Sequence, residues 1–128
     1  MTGSFFSRRL LSLFLSPHNA GTADPCHASG EAVNPACNDM TVITLTVAHG
    51  RITQARFKTQ GCAAAVAGAS ATTVLAQGRS FSEAETITLD DLCDFLDGIP
   101  DGKKACAATG PAALAEALGR LRERGDRP

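Results

Sequence analysis

An α+β fold, a small antiparallel three-stranded sheet packed on several helices, is predicted from three observations. Thr41-Val42-Ile43-Thr44-Leu45-Thr46-Val47 is a β-branched run, and residues 51–59 alternate polar with apolar side chains. Between them Ala48-His49-Gly50 supplies a short glycine-containing connection, the pattern of a β-hairpin. From residue 63 onward the patterns turn helical, and strands followed by helices imply an α+β layer rather than a parallel sheet.

Taken in order, residues 7–15 form an amphipathic helix that stops before Pro17. Residues 19–35, rich in Gly, Pro, Ala and Asp, read as a long surface loop, and the stretch just before Cys37 is the candidate for the third strand. Residues 63–77 are Ala-rich, with Val66, Ser70, Val74 and Leu75 at helical spacing and Gly78 as the stop. Their small side chains suit close packing against a sheet. Ser80-Phe81-Ser82-Glu83 and Thr88-Leu89-Asp90-Asp91 fit the capping-box pattern and open two short helices. Leu89, Leu92, Cys93 and Leu96 share a face, so Cys93 is expected toward the core. A last helix is expected to start at Pro111 as its first residue, leaving Cys106 on a preceding loop. It carries Leu114, Leu118 and Leu121 on one face and a basic, solvated end.

The chain has 128 residues, one domain's length, with residues 1–6 and 125–128 expected to be disordered. A hydrophobic fraction of 44% and charged fraction of 20% describe a globular chain able to bury a core without obligatory staples. Net charge is −1 and Trp and Tyr are absent, which argues against nucleic-acid binding. The apolar residues 10–15 are too few to cross a bilayer and lack a small-residue cleavage site downstream. No membrane association is expected. Five cysteines at irregular spacing do not suggest a disulfide framework and suit a reducing cytoplasm.

Three of those cysteines sit in settings suited to metal or sulfur chemistry. Cys37 lies two residues before Asp39, so in extended geometry both would point to one face. Cys62 follows a strand and Gly61, read as a tight turn, and opens a helix, where unpaired N–H groups favour a thiolate. Cys106 follows Lys103 and Lys104, and nearby cations lower a thiol pKa. Each also has a plainer explanation: Cys37 as a loop thiol beside a turn Asp, Cys62 as a buried apolar residue, Cys106 as an incidental thiol in a basic loop. Cys26-His27 reads as a solvated loop, and neither His18 nor His49 is expected to be a ligand.

Asn34-Pro35-Ala36-Cys37-Asn38-Asp39, residues 12–21, residues 56–67, Leu96-Asp97-Gly98-Ile99-Pro100, and Cys106 followed by Ala113-Leu114 change that balance by their order and spacing. Together they resemble the IscU/NifU-type iron–sulfur cluster scaffold family over nearly the whole chain. The resemblance implies a SufE/NifU-like fold in which Cys37, Asp39, Cys62 and Cys106 converge. The three thiolates would hold iron and a transient [2Fe–2S] cluster, or Zn²⁺ in its absence, with Asp39 as the weaker ligand that permits release. It implies a scaffold rather than a classical enzyme, with a cysteine desulfurase and iron–sulfur acceptor proteins as partners. Cys106 would accept persulfide sulfur. The alternative is a zinc-dependent sulfurtransferase, against which the absence of a long insertion between Cys62 and Cys106 weighs.

The departures are specific. Ala105 stands where the family usually has His, and Asn38 where it has Gly, Asn being a residue that also tolerates unusual backbone angles. Ile99-Pro100-Asp101-Gly102-Lys103 replaces the Leu-Pro-Pro-Val-Lys segment that binds a specialised Hsp70, which weighs against that chaperone as a partner.

Overall fold

The computed structural model describes residues 6–123. The elements run α1 (Arg8–Leu15), β1 (Ala28–Asn34), β2 (Asp39–Ala48), β3 (Arg51–Gln60), α2 (Ala63–Ala76), α3 (Phe81–Ala84), α4 (Leu89–Phe95), α5 (Lys104–Ala107) and α6 (Thr109–Glu123), with a 3-10 turn at Asp101–Lys103. The sheet is three-stranded and antiparallel in the order β1-β2-β3. The predicted architecture is the observed one. Of the ends expected to be disordered, only Phe6 lies within the described residues, and it packs against the core.

The β2–β3 hairpin closes through His49 and Gly50, both at positive φ (54° and 75°). That two-residue geometry matches the twist of the flanking strands. Residues 19–35, expected as a surface loop with a third strand just before Cys37, divide into two parts, and that strand is observed as β1. Asn19 and Gly21 exchange backbone hydrogen bonds with Phe57 on the free edge of β3. The chain then crosses the sheet, where the Ala23 N–H donates to the buried Thr44 hydroxyl. Residues from Ala28 on pair with β2, because backbone groups brought into a covered position need partners. Gly30 makes this strand possible. A Cβ there would stand 2.2 Å from the Ala113 carbonyl of α6, so the helix packs directly on the backbone of β1.

One face of the sheet (Ile43, Leu45, Ala55, Phe57) packs on Ala69 and Ala76 of α2 and Leu114, Leu118 and Leu121 of α6. A second cluster joins Leu10 and Leu13 of α1 to Leu92 and Leu96. Helix α2 is buried nearly all round, the expected pattern for a helix enclosed by other elements. Its small residues therefore meet helices as well as the sheet. At Gly68 a Cβ would approach the Ala107 backbone to 2.9 Å, and at Gly110 one would reach Thr72 Oγ1 at 2.5 Å. Both capping boxes form, at Ser80 with Glu83 and at Thr88 with Asp91. Cys93 is half-buried against the second cluster, on the side predicted.

Helix α6 corrects one expectation. It begins at Thr109, two residues before Pro111, and Cys106 lies on the helical turn α5 rather than on a loop. Proline is tolerated there because the first N–H groups of a helix have no intrahelical acceptor. The basic residues near the α6 C-terminus are engaged rather than merely solvated. Arg120 donates to the Ser29 carbonyl and pairs with Glu116, and Arg122 pairs with Glu85.

Candidate metal centre

Asp39 is the first residue of β2 and faces Asn34, the last residue of β1, across the ladder. The four-residue connection between them carries Cys37 at its exposed tip, with Asn38 at φ 57° completing the reversal. The tolerance of Asn for unusual backbone angles is thus used at Asn38. The Asp39 side chain turns inward and is 1% exposed.

Gly61 sits against that carboxylate. Its φ is not positive, so it serves here by leaving space and not by permitting a tight turn. A Cβ at Gly61 would lie 2.3 Å from Asp39 Oδ1. The space lets the Cys62 N–H donate to Asp39 Oδ1 at 3.1 Å and brings Cys62 Sγ within 3.9 Å of Oδ2. Cys62 is the N-cap of α2. A carboxylate at the positive end of a helix is in a favourable field.

Cys106 arrives from the opposite direction. Gly68 lets α5 lie on α2, and the Thr109 hydroxyl donates to the Cys106 carbonyl at 2.8 Å. The same hydroxyl is 2.9 Å from that of Thr41, which is 3.1 Å from that of Thr59. Three threonines thereby fasten β2, β3 and α6 beneath the site. Sequence reasoning missed them, since isolated threonines in strands are common.

The ligand atoms of Cys37, Asp39 and Cys106 all lie within 4.8 Å of one another. A tetrahedral metal with M–S of about 2.3 Å needs sulfurs roughly 3.8 Å apart, so the contraction needed for closure is at most about an ångström. Cys62 borders this group through its contact with Asp39. Three sulfurs and one carboxylate oxygen are the donor set of a four-coordinate zinc or iron site. The arrangement fits a metal ion.

Electrostatically the two sides differ. Cys37 is exposed, whereas Cys106 is 1% exposed and packs on Ala64 and Ala65. Burial, then Asp39, Cys62 and Cys37, push the Cys106 thiol well above the ordinary cysteine range. This overturns the picture of a mobile thiol activated by adjacent lysines. Lys104 is instead committed to Asp101, its Nζ 3.0 Å from the carboxylate, and that contact raises the lysine pKa. A buried thiol facing acidic groups keeps its proton until a metal displaces it.

The other candidates stand apart. Cys26 is exposed with its Sγ near the Ala28 carbonyl, and His27 Nδ1 accepts from the Val47 N–H. The His18 backbone exchanges hydrogen bonds with the Ser70 hydroxyl. All five cysteines are free. No helix among the described residues is long and apolar enough to cross a membrane.

The chain is 34% identical over 113 residues to the iron–sulfur cluster assembly scaffold protein IscU 1 of Archaeoglobus fulgidus, covering 88% of this chain and 74% of that protein. It is 32% identical over 115 residues to the corresponding IscU of Aquifex aeolicus, covering 88% and 73% respectively. The fold superposes with a TM-score of 0.77 on FiSufU of Fervidobacterium islandicum AW-1, described as a scaffold for the SUF system, at 18% identity, over 92% of this chain and 99% of that one. The sequence profile of the NifU-like N-terminal domain matches residues 5–127. The chain therefore belongs to the NifU-like N-terminal domain family.

Proposed function

We propose that this chain is an iron–sulfur cluster assembly scaffold: it takes up iron and sulfur, holds a transient [2Fe–2S] cluster as cargo, and passes it to acceptor proteins. The observation that carries the reading is the meeting of Cys37, Asp39 and Cys106 within 4.8 Å, with Cys62 alongside and Cys37 open to solvent. Cargo must both bind and leave. Thiolates supply strong iron ligands, and Asp39 is a harder, more readily exchanged one. Zn²⁺ would occupy the same four groups when no cluster is present. Family membership supports a cysteine desulfurase and iron–sulfur acceptors as partners, and free thiols suit the cytoplasm. The chain's thiols would serve as carriers, with no turnover of a separate substrate.

In the proposed sulfur route Cys106 is the persulfide acceptor. Once exposed, its thiol gives its proton to solvent and the thiolate attacks the outer sulfur of the desulfurase persulfide; an S–S bond forms on the scaffold, and the desulfurase cysteine leaves as thiolate. Burial means that α5 must swing out for this to happen. Exposure favours a second route, in which Cys37 makes the same attack; Cys106, giving up its proton, then attacks the outer sulfur of the Cys37 persulfide a few ångströms away, and Cys37 leaves as the thiol. Persulfide labelling of Cys37→Ser and Cys106→Ser separates the two routes.

The test of the function is anaerobic reconstitution with iron, cysteine and a desulfurase, followed by mixing with apo-ferredoxin. Cluster absorption bands that then move to the ferredoxin support the scaffold. Tight zinc with faster desulfurase turnover and no cluster would point to a sulfurtransferase and against the scaffold.

A further inference from the structure

Asn34 makes three contacts that join the two sides of the site. Its backbone carbonyl accepts from the Cys37 N–H at 3.2 Å, and its side-chain Oδ1 accepts from the Ala36 N–H at 3.3 Å. Its Nδ2 donates to Cys106 Sγ at 3.7 Å. The orientation of the amide follows from chemistry, because a backbone N–H can only donate and must meet the oxygen. The NH₂ group is thus obliged to face the sulfur.

We infer that Asn34 is a positioning residue for the metal centre: it anchors the Cys37 connection with its oxygen and directs an N–H to the Cys106 sulfur. This rests on the metal-site reading above and extends it. The surroundings make the donor consequential. Ligand atoms of Asp39 and Cys37 lie within 4.8 Å of the Cys106 sulfur, and Cys62 borders them through Asp39. A neutral donor in their midst stabilises a metal-bound thiolate without adding charge. Next to Cys106 stands Ala105, which offers no side-chain donor, and it shares a shallow groove with Asn34 and Thr109. Hydrogen bonds to ligating sulfur lower the energy of its lone pairs and so tune the metal.

The experiment is anaerobic titration with Co²⁺ of the wild-type chain, Asn34→Ala and Asn34→Asp. The Asp variant keeps the oxygen for the Ala36 N–H and lacks the donor, and circular dichroism verifies that each variant is folded. Without the donor the sulfur lone pair rises, so the sulfur-to-cobalt charge-transfer band should move to lower energy in Asn34→Ala, and at least as far in Asn34→Asp, whose carboxylate sets a negative charge beside the sulfur. Asn34→Ala should also bind Co²⁺ at least about tenfold more weakly. An unshifted band in Asn34→Asp overturns the donor role, whether or not Asn34→Ala is impaired. Failure of the wild-type chain to bind Co²⁺ through sulfur overturns the site reading itself, and this inference with it.

Discussion

Strand β2 leaves by two connections, one at each end, and they have different fates. At its far end Ala48-His49-Gly50-Arg51 turns on two residues at positive φ and goes straight into β3. At its near end the connection from β1 also reverses with a positive-φ residue, Asn38, yet it holds Cys37 above a buried carboxylate. Local turn chemistry is much the same. What differs is the company: the near end receives the N-terminus of α2 and the helical turn α5, each brought close by a glycine, Gly61 and Gly68. A turn becomes a site when distant parts of the chain are able to approach it.

The largest effect expected is on the near end alone. Cys106→Ser removes one of the four proposed ligands. A structural zinc site worth about 12 kcal/mol loses roughly a quarter of that, or about a hundredfold in affinity. Chelator competition measures it, and an affinity within a few-fold of wild type would show that Cys106 is no ligand. Next comes Gly61→Ala, whose methyl would overlap the Asp39 carboxylate. We expect about 1–3 kcal/mol of lost stability, typical of overpacking, together with weakened metal binding. A variant that keeps wild-type affinity would mean that the Asp39 position is not critical.

The metal-free protein should also respond to pH through Cys106. Its thiol is raised in the folded chain by burial and then by Asp39, Cys62 and Cys37. Above the unfolded thiol value of about 8.5, the folded state keeps a proton that the unfolded state releases. The contribution is therefore fully present below that pH and declines above it, by up to about 1.4 kcal/mol per pH unit. Denaturant melts at rising pH should show this fall in wild type and a shallower one in Cys106→Ser. Equal slopes would contradict the burial account. The smallest effect belongs to the far end: Gly50→Ala, at φ 75°, should cost about 1 kcal/mol in the same melts and leave metal affinity unchanged. If it weakened metal binding, the two ends would not be independent.

The same division explains what could be read in advance. The hairpin, the two capping boxes and the apolar face of α6 rest on local rules, and each is observed. Strand β1 was only half visible, because Ala28-Ser29-Gly30-Glu31-Ala32-Val33-Asn34 is poor in β-forming residues and owes its conformation to pairing with β2 and close packing of α6. The cysteines and Asp39 were visible as residue types, and their convergence followed from the family resemblance. The state of Cys106 did not. Whether Lys104 turns toward the thiol or toward Asp101, and whether the turn is buried, depends on α5 docking on α2 at Gly68. The threonine chain and Asn34 went unrecognised for the same reason, since their partners lie far away in sequence.

The central claim is that Cys37, Asp39, Cys62 and Cys106 form one ligand set. X-ray absorption at the zinc edge of the zinc-loaded chain tests it most directly. The account predicts a four-coordinate ion with three sulfurs at about 2.3 Å and one oxygen at about 2.0 Å. One sulfur or none in that shell, or a set unchanged in Cys106→Ser, would contradict it.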